Sequence, residues 1–147
     1  MSDGRIRVGV MGQGRSGYNI HVRCMRDVES VARKFFVVAV ADQLDVRRQQ
    51  AAEELGCEVY DDWRKMLDAG GFDMVVNSLP SPLHVDATIQ AFKQGYHVLS
   101  EKPLAKKVWA AHHPTPDCTR AVPPAAETDR TAPTWLCFAG RRRRPHS

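Results

Sequence analysis

The sequence predicts an α/β fold with a doubly wound, parallel (Rossmann-type) sheet of about five strands and helices on both faces. Short apolar runs alternate with helix-like segments about four times between residues 5 and 100. One run, residues 35–41, is apolar without interruption, which is typical of a strand covered on both faces. A glycine-rich turn joins the first run to the first helical segment. This alternation predicts parallel strands linked by right-handed crossovers.

The first predicted strand, residues 5–11, runs directly into a Gly-x-Gly-x-x-Gly turn. In such a turn the first glycine permits the tight bend, the second admits a phosphate to the backbone, and the third lets the helix pack closely. The helix start adds unpaired N–H groups and a positive dipole end. The candidate phosphate-binding residues are Gly12, Gln13, Gly14, Arg15, Ser16 and Gly17. Taken alone, the motif is equally consistent with a turn that binds nothing.

The first helix is predicted from about Arg15 to Lys34. Its apolar face is expected to contain the residues that recur at three- and four-residue steps, namely Gly17, Ile20, Cys24, Val28 and Val31. His21 lies near Cys24, but no other ligand has a spacing suited to a metal site. We therefore interpret His21 as a surface histidine beside a core cysteine.

Asp42 follows the second strand, 30 positions after Gly12. A carboxylate at this point of a dinucleotide-binding fold accepts hydrogen bonds from the adenosine ribose and repels a 2′-phosphate. A helix cap or loop carboxylate is the alternative interpretation. Because Arg47 and Arg48 could pair with a 2′-phosphate, the sequence favours NAD and leaves NADP open.

The remaining elements follow from capping and turn residues. We expect Asp45 to cap a helix that ends at Gly56, and Asp61-Asp62 to cap a short helix rather than to form an acid–base pair. Ser81 and Pro82 predict the start of a further helix, with Ser81 as its N-cap. The predicted later strands are residues 57–60, 72–79 and 97–100, and the last helix is expected to pack through Val85, Ile89 and Phe92.

Four chemically distinctive segments follow strands on the same side of the predicted sheet. They are the glycine turn, Asp42, the segment Leu79–His84 (which includes Pro80), and Glu101-Lys102. Ligands of open α/β sheets bind in the crevice outside the carboxyl ends of the strands, where the strand order reverses. This coincidence favours the phosphate-binding interpretation of the glycine turn.

Several of these segments together resemble the N-terminal domain of the Gfo/Idh/MocA oxidoreductases. The matching stretches are Gly12–Gly17, Val38–Asp42, Tyr60–Trp63, Leu79-Pro80 with His84, and His97-Val-Leu-Ser-Glu-Lys-Pro-Leu-Ala105. The last stretch is the most specific, because many dehydrogenases share the glycine motif. The resemblance covers about residues 5–105.

The resemblance implies binding of NAD(H) or NADP(H) and hydride exchange with a hydroxyl carbon of a sugar, polyol or similar substrate. It implies that Glu101 lies near the nicotinamide ribose and that Lys102, the candidate catalytic residue, reaches cofactor and substrate. A lysine at a strand end can donate to a substrate oxygen or relay a proton; a solvated surface lysine is the alternative. His84 either faces the nicotinamide pocket or packs the helix start.

After Ala105 the resemblance is expected to stop. The family continues with a second domain that carries much of the substrate pocket and the oligomer interface, and residues 106–147 are too few to form it. Six of the nine prolines lie in this stretch, which predicts an irregular, basic tail. A shifted reading frame or a truncated gene end is our hypothesis for it. We expect two units, a nucleotide-binding domain at 1–105 and the tail at 106–147.

Charge and composition exclude several classes of function. Residues 1–105 carry 13 Lys+Arg and 14 Asp+Glu, so this part shows no basic surface for nucleic acid. No apolar run reaches the roughly 20 residues that span a bilayer, and four scattered cysteines suggest free thiols in a cytoplasmic protein. A zinc site in the tail is disfavoured by its His and Cys spacing, so no metal is expected. The alternatives to a dehydrogenase are a redox-sensing dinucleotide-binding module and a truncated product without function.

Overall fold

Five parallel strands form the centre of the computed structural model, which describes residues 4–103. The strands are β1 (Ile6–Met11), β2 (Phe35–Ala41), β3 (Glu58–Tyr60), β4 (Met74–Asn77) and β5 (His97–Ser100). Their order in the sheet is β3-β2-β1-β4-β5, and each neighbouring pair is parallel. The predicted doubly wound parallel sheet is confirmed. The chain reverses its direction across the sheet at β1, so the crevice lies at the carboxyl end of this strand.

The helices cover both faces of the sheet. They are a π-helical turn (Gly17–Val22) continued by α1 (Arg23–Asp27), then α2 (Glu29–Ala32), α3 (Asp45–Leu55), α4 (Trp63–Ala69), a 3-10 turn (Ser81–Leu83) and α5 (His84–Lys93). One core lies between the sheet and α4–α5 and includes Met66 and Val75. The other lies under α1–α3 and includes Val10 and Val22. Alternate side chains of each central strand therefore enter opposite cores.

The first helical segment differs from the single helix that periodicity predicts. It contains a π-helical turn and breaks at Val28, whose backbone is extended (φ −92°, ψ 107°). Of the predicted apolar face, Gly17 is buried and Val31 packs against the core. Ile20 and Val28 are 56% and 44% exposed and Cys24 is exposed, so the rest of that face is wrong. Val22 and Met25 are buried instead. A π turn holds more residues than an α turn, which rotates the following side chains relative to a 3.6-residue period.

Two predicted caps are also wrong, although the elements exist. Asp45 is the first residue of α3, whose N-cap is Leu44, and the Asp45 carboxylate accepts hydrogen bonds from side chains one turn later. Ser81 begins a 3-10 turn after Pro80 and makes no capping bond. Asp62 caps α4 as expected, by accepting from the Arg64 N–H at 2.8 Å.

The last helix buries a stripe one position away from the predicted one. Its buried residues are His84, Ala87, Thr88 and Ala91. Val85, Ile89 and Phe92 are only half-buried. The fourth strand is shorter than the predicted residues 72–79. Strands β2 and β5 have the bounds that the sequence predicts, and α3 ends before Gly56 as expected.

Cys57 is half-buried at the end of α3, and its thiol donates to the Ala51 carbonyl at 3.7 Å. Burial raises the pKa of the Cys57 thiol to about 11, because the thiolate is poorly solvated there. At pH 8 we expect Cys57 to react with iodoacetamide at least about tenfold more slowly than exposed Cys24, since only the thiolate is nucleophilic. Timed alkylation followed by peptide mass spectrometry measures both rates. In urea we expect the two cysteines to react at equal rates. Equal rates in the folded protein would contradict the burial that we assign to the Cys57 thiol.

Residues 1–3 and 104–147 lie outside the described residues. The predicted tail at 106–147, with its zinc and nucleic-acid interpretations, therefore stays a prediction. Among the described helices, none is long and apolar enough to cross a bilayer.

Candidate functional site

A cleft of 680 Å³ opens at the carboxyl ends of β1, β2 and β4. Seven of the predicted site residues line it: Gly12, Gly14, Arg15, Ser16, Asp42, Leu79 and Pro80. These residues come from three separate strand ends and are brought together only by the parallel arrangement. The position is the one expected for a ligand at the switch point of an open α/β sheet.

The three glycines of the turn have different environments. Gly12 has φ +87°, and a Cβ there would lie 2.7 Å from the Ser78 carbonyl oxygen. A Cβ on Gly17 would lie 1.9 Å from the Gly12 carbonyl oxygen, which no side chain tolerates. A Cβ on Gly14 would meet only Arg47, at 3.6 Å. Gly12 and Gly17 therefore maintain the packing of the turn, while Gly14 leaves its backbone open to the cleft.

Asp42 is buried at the end of β2, with 8% of its surface exposed. One carboxylate oxygen accepts from the Gln13 N–H at 2.7 Å and the other from the Leu44 N–H at 2.9 Å. The carboxylate thus ties the glycine turn to the loop after β2. Oδ2 also accepts from Arg47, whereas Oδ1 keeps a second lone-pair direction and can still accept a hydrogen bond from a ligand hydroxyl in the cleft.

Both arginines considered for a 2′-phosphate already have acidic or carbonyl partners. Arg47 Nη1 lies 3.3 Å from Asp42 Oδ2. Arg48 donates to the backbone carbonyls of Asp42 and Gln43 at 2.8 and 2.9 Å, and to Asp45 at 2.9 Å. Only Arg47 lines the cleft. A 2′-phosphate would therefore have to compete with Asp42 for Arg47.

Gln13 contributes its backbone, while its side chain is buried. The residue is 3% exposed, and neither atom of its amide has a hydrogen-bond partner in the described part of the chain. It does not line the cleft, unlike its two glycine neighbours. An unsatisfied buried amide costs about 1–3 kcal/mol, so the side chain of Gln13 lowers the stability of the fold within the glycine turn.

His84 is buried below the cleft rather than in its wall. It is 2% exposed, with Nδ1 2.8 Å from the Pro103 carbonyl oxygen and Nε2 2.6 Å from the Leu79 carbonyl oxygen. Carbonyl oxygens only accept, so each ring nitrogen bonds its carbonyl when it carries a hydrogen. The imidazole thus lies between the Leu79 loop and the segment after β5, and its role toward the nicotinamide pocket stays a prediction.

Glu101 and Lys102 follow β5 and lie outside the cleft lining. The Glu101 N–H donates to the Asn77 carbonyl at 2.9 Å, which continues the pairing of β4 and β5. Lys102 is exposed. The Glu101 carboxylate contacts His21 Nε2 at 2.6 Å, so the interpretation of His21 as a plain surface residue is wrong.

The structure adds cleft residues that the sequence did not single out as binding residues, among them Leu44, Ser78 and Arg64. Arg64 stacks on the Trp63 ring at 4.1 Å and pairs with Asp86 at 3.0 Å. Ser78 directly follows β4, as Asp42 follows β2, and this position at a strand end was the sequence signal that could have identified it.

Asp61 also lines the cleft, and its hydrogen bond to Lys65 lowers its pKa. The Asp61 carboxylate therefore stays ionised and is unsuited to act as a general acid.

Within residues 4–103, no group of three or more His, Cys, Asp or Glu side chains is arranged to hold a metal ion. The cleft instead fits a dinucleotide. It combines a backbone open at Gly14, a helix that begins in the glycine turn, and a carboxylate one strand away. The fold and cleft therefore define a dinucleotide-binding domain of the Rossmann class.

Sequence comparison places this domain within a family. Residues 6–119 match the family model described as "Oxidoreductase family, NAD-binding Rossmann fold", so the chain belongs to the Gfo/Idh/MocA oxidoreductases. The match extends to residue 119, and the boundary that we expect at Ala105 stays a prediction.

The relatives include named polyol dehydrogenases. Inositol 2-dehydrogenase of Streptomyces avermitilis is 39% identical over 98 residues, which are 66% of this chain and 27% of that protein. The scyllo-inositol 2-dehydrogenase (NAD(+)) of Bacillus subtilis is 34% identical over 101 residues, 68% of this chain and 28% of the relative. The chain thus spans less than a third of the length of these relatives.

A solved structure supports the same assignment. The scyllo-inositol dehydrogenase of Lactobacillus casei, with bound NAD(H) and scyllo-inositol, superposes with a TM-score of 0.67 at 29% identity. The superposition covers 74% of this chain and 31% of the other. The chain therefore carries the NAD-binding Rossmann domain of the family.

Proposed function

We propose that this chain supplies the cofactor-binding half of a dehydrogenase that exchanges hydride with a hydroxyl carbon of a sugar or polyol. The observation that carries the proposal is the cleft in which Gly14 is open and Asp42 is buried at the neighbouring strand end. The names of the inositol dehydrogenases among its relatives support the substrate class. The bound nicotinamide would accept or deliver the hydride.

Each residue of the site has a role in this proposal. The backbone at Gly14, Arg15 and Ser16 would hold the pyrophosphate, since a helix start offers N–H donors and a positive dipole end. Asp42 would accept from the adenosine ribose hydroxyls. Its negative charge and its hold on Arg47 favour NAD over NADP.

Lys102 would act at the substrate end. Its ammonium can donate to the substrate oxygen and stabilise negative charge that develops there during hydride transfer. Glu101 would contact the nicotinamide ribose from the end of β5. Leu79 and Pro80, which line the cleft at the end of the neighbouring strand β4, would enclose the dinucleotide.

The test is a titration of the full 147-residue chain with NADH, in which isothermal calorimetry and NADH fluorescence measure the binding. We expect saturable 1:1 binding in the micromolar range, which corresponds to about 8 kcal/mol. Arg33→Ala, which removes an exposed ion pair with Glu29 on α2, serves as a matched control and should bind equally well. A folded chain that binds neither NADH nor NADPH would refute the proposed function.

A further inference from the structure

The contact between His21 and Glu101 differs from the other ion pairs of the described chain. His21 Nε2 lies 2.6 Å from Glu101 Oε1, and the two side chains are only 15% and 23% exposed. Because a carboxylate can only accept, Nε2 carries the hydrogen, and the bond is charge-assisted. By contrast, the Arg33–Glu29 pair is 74% and 79% exposed, and such pairs contribute little to stability.

The π-helical turn is what directs His21 toward Glu101. Each successive residue of an α-helix rotates the side-chain direction by about 100° around the helix axis. If the π turn had one residue fewer, His21 would therefore point away from β5. The turn begins at Gly17, which packs against the Gly12 carbonyl. His21 therefore lies in the same helical turn as Gly17, the last glycine of the glycine turn. π turns occur frequently at functional sites.

The segment Glu101–Pro103 is held from several sides. The Glu101 N–H donates to Asn77, and the Pro103 carbonyl lies 2.8 Å from His84 Nδ1. His21 adds the bond to the Glu101 side chain, from the opposite face of the sheet to α5. Lys102 lies between these anchors.

The position of this segment in the sheet indicates which half of the dinucleotide it faces. Asp42 follows β2 on one side of β1, whereas Glu101 follows β5, two strands away on the other side and roughly 10 Å from β1. A dinucleotide that crosses the glycine turn places one nucleoside over each half of the sheet. If Asp42 accepts the adenosine ribose, Glu101 faces the nicotinamide riboside.

We infer that His21 is a positioning residue: through Glu101 it fixes the Glu101–Pro103 segment, and thus Lys102, on the side of the sheet that the proposed function assigns to the nicotinamide half of the dinucleotide. This inference rests on the proposed function. His21 touches neither cofactor nor substrate in this arrangement, so its effect should be restricted to ligands that carry the nicotinamide riboside.

The experiment compares NADH with ADP, which has the adenosine and both phosphates but lacks the nicotinamide riboside. In the full chain we expect His21→Leu to weaken NADH binding about tenfold, the effect of one charge-assisted hydrogen bond, and to change ADP binding less than twofold. His21→Gln, which retains a donor at the reach of Nε2, should recover most of the NADH affinity. Arg23→Leu breaks an exposed pair with Asp27 on α1 and is the matched control.

Each outcome of this comparison decides the inference. Equal weakening of NADH and ADP binding would assign His21 a general structural role and overturn the inference, as would unchanged NADH affinity. If His21→Leu does not fold, His21→Asn is used, because its shorter amide is polar but cannot reach Glu101. If the wild-type chain binds ADP and not NADH, the inference fails; if it binds neither, the proposed function fails with it.

Discussion

Gly17→Ala is expected to abolish NADH binding and to lower the free energy of unfolding by about 3 kcal/mol, at the upper end of overpacking effects. The added Cβ would lie 1.9 Å from the Gly12 carbonyl oxygen. That oxygen cannot retreat freely, because it accepts from the Ser78 hydroxyl at 2.7 Å and the Gly12 N–H donates to Ala41 at 2.7 Å. Urea denaturation monitored by circular dichroism measures the loss of stability.

Gly14→Ala is the matched control for that experiment. Its Cβ would meet only Arg47, at 3.6 Å, so the free energy of unfolding should change by less than about 1 kcal/mol. The methyl group would still occupy the approach to the backbone, and we expect NADH affinity to fall about tenfold or more. Similar destabilisation by both substitutions would contradict the separate roles that we assign to the two glycines.

Asp42→Asn is expected to change the preference between NAD and NADP by about a hundredfold, measured as the ratio of the two Kd values. The substitution removes the acceptor charge that favours the ribose hydroxyls of NAD. It also releases Arg47, now 3.3 Å from the carboxylate, to pair with a 2′-phosphate. NAD affinity should fall strongly, whereas NADP affinity should be retained or improve. Calorimetric titration of each cofactor measures the effect.

Two controls separate this effect from a loss of local structure. Asp45→Asn removes a neighbouring carboxylate that is exposed and bonded to Arg48, and it should leave the ratio unchanged. In Asp42→Asn with Arg47→Ala, the gain in NADP affinity should disappear while NAD affinity stays low. Equal weakening of both cofactors by Asp42→Asn alone would remove Asp42 from the adenosine ribose site.

The sheet was predictable from sequence because its signals are local and strong. Residues 35–41 are apolar without interruption, and β2 has these bounds. Glycine at positions 56 and 95 ends α3 and the α5 segment with positive φ, as expected of helix C-termini. The glycine turn and Asp42 were identifiable as site residues because each directly follows a strand.

The first helical segment was less predictable, because its geometry is not set by local propensity. An assumed period of 3.6 residues assigns Ile20 and Cys24 to the core, whereas the π turn exposes them and buries Val22 and Met25. The π turn is stabilised by packing on the sheet and by the close contact at Gly17. The glycine motif indicates the close contact at Gly17, but no sequence pattern shows the packing on the sheet that gives the π turn its geometry.

Local sequence was thus sufficient to predict the order of strands and helices along the chain and to identify the strand ends at which a dinucleotide binds. It was sufficient because uninterrupted apolar runs, glycines and capping residues determine the backbone structure of the few residues around them. The partners of His21, His84 and Gln13 depend on tertiary structure alone. His21 and Glu101 are 80 residues apart. Their contact, and therefore the attachment of the Lys102 segment to the glycine turn, exists only because the parallel sheet places β5 beside β4 and the π turn directs the imidazole toward it.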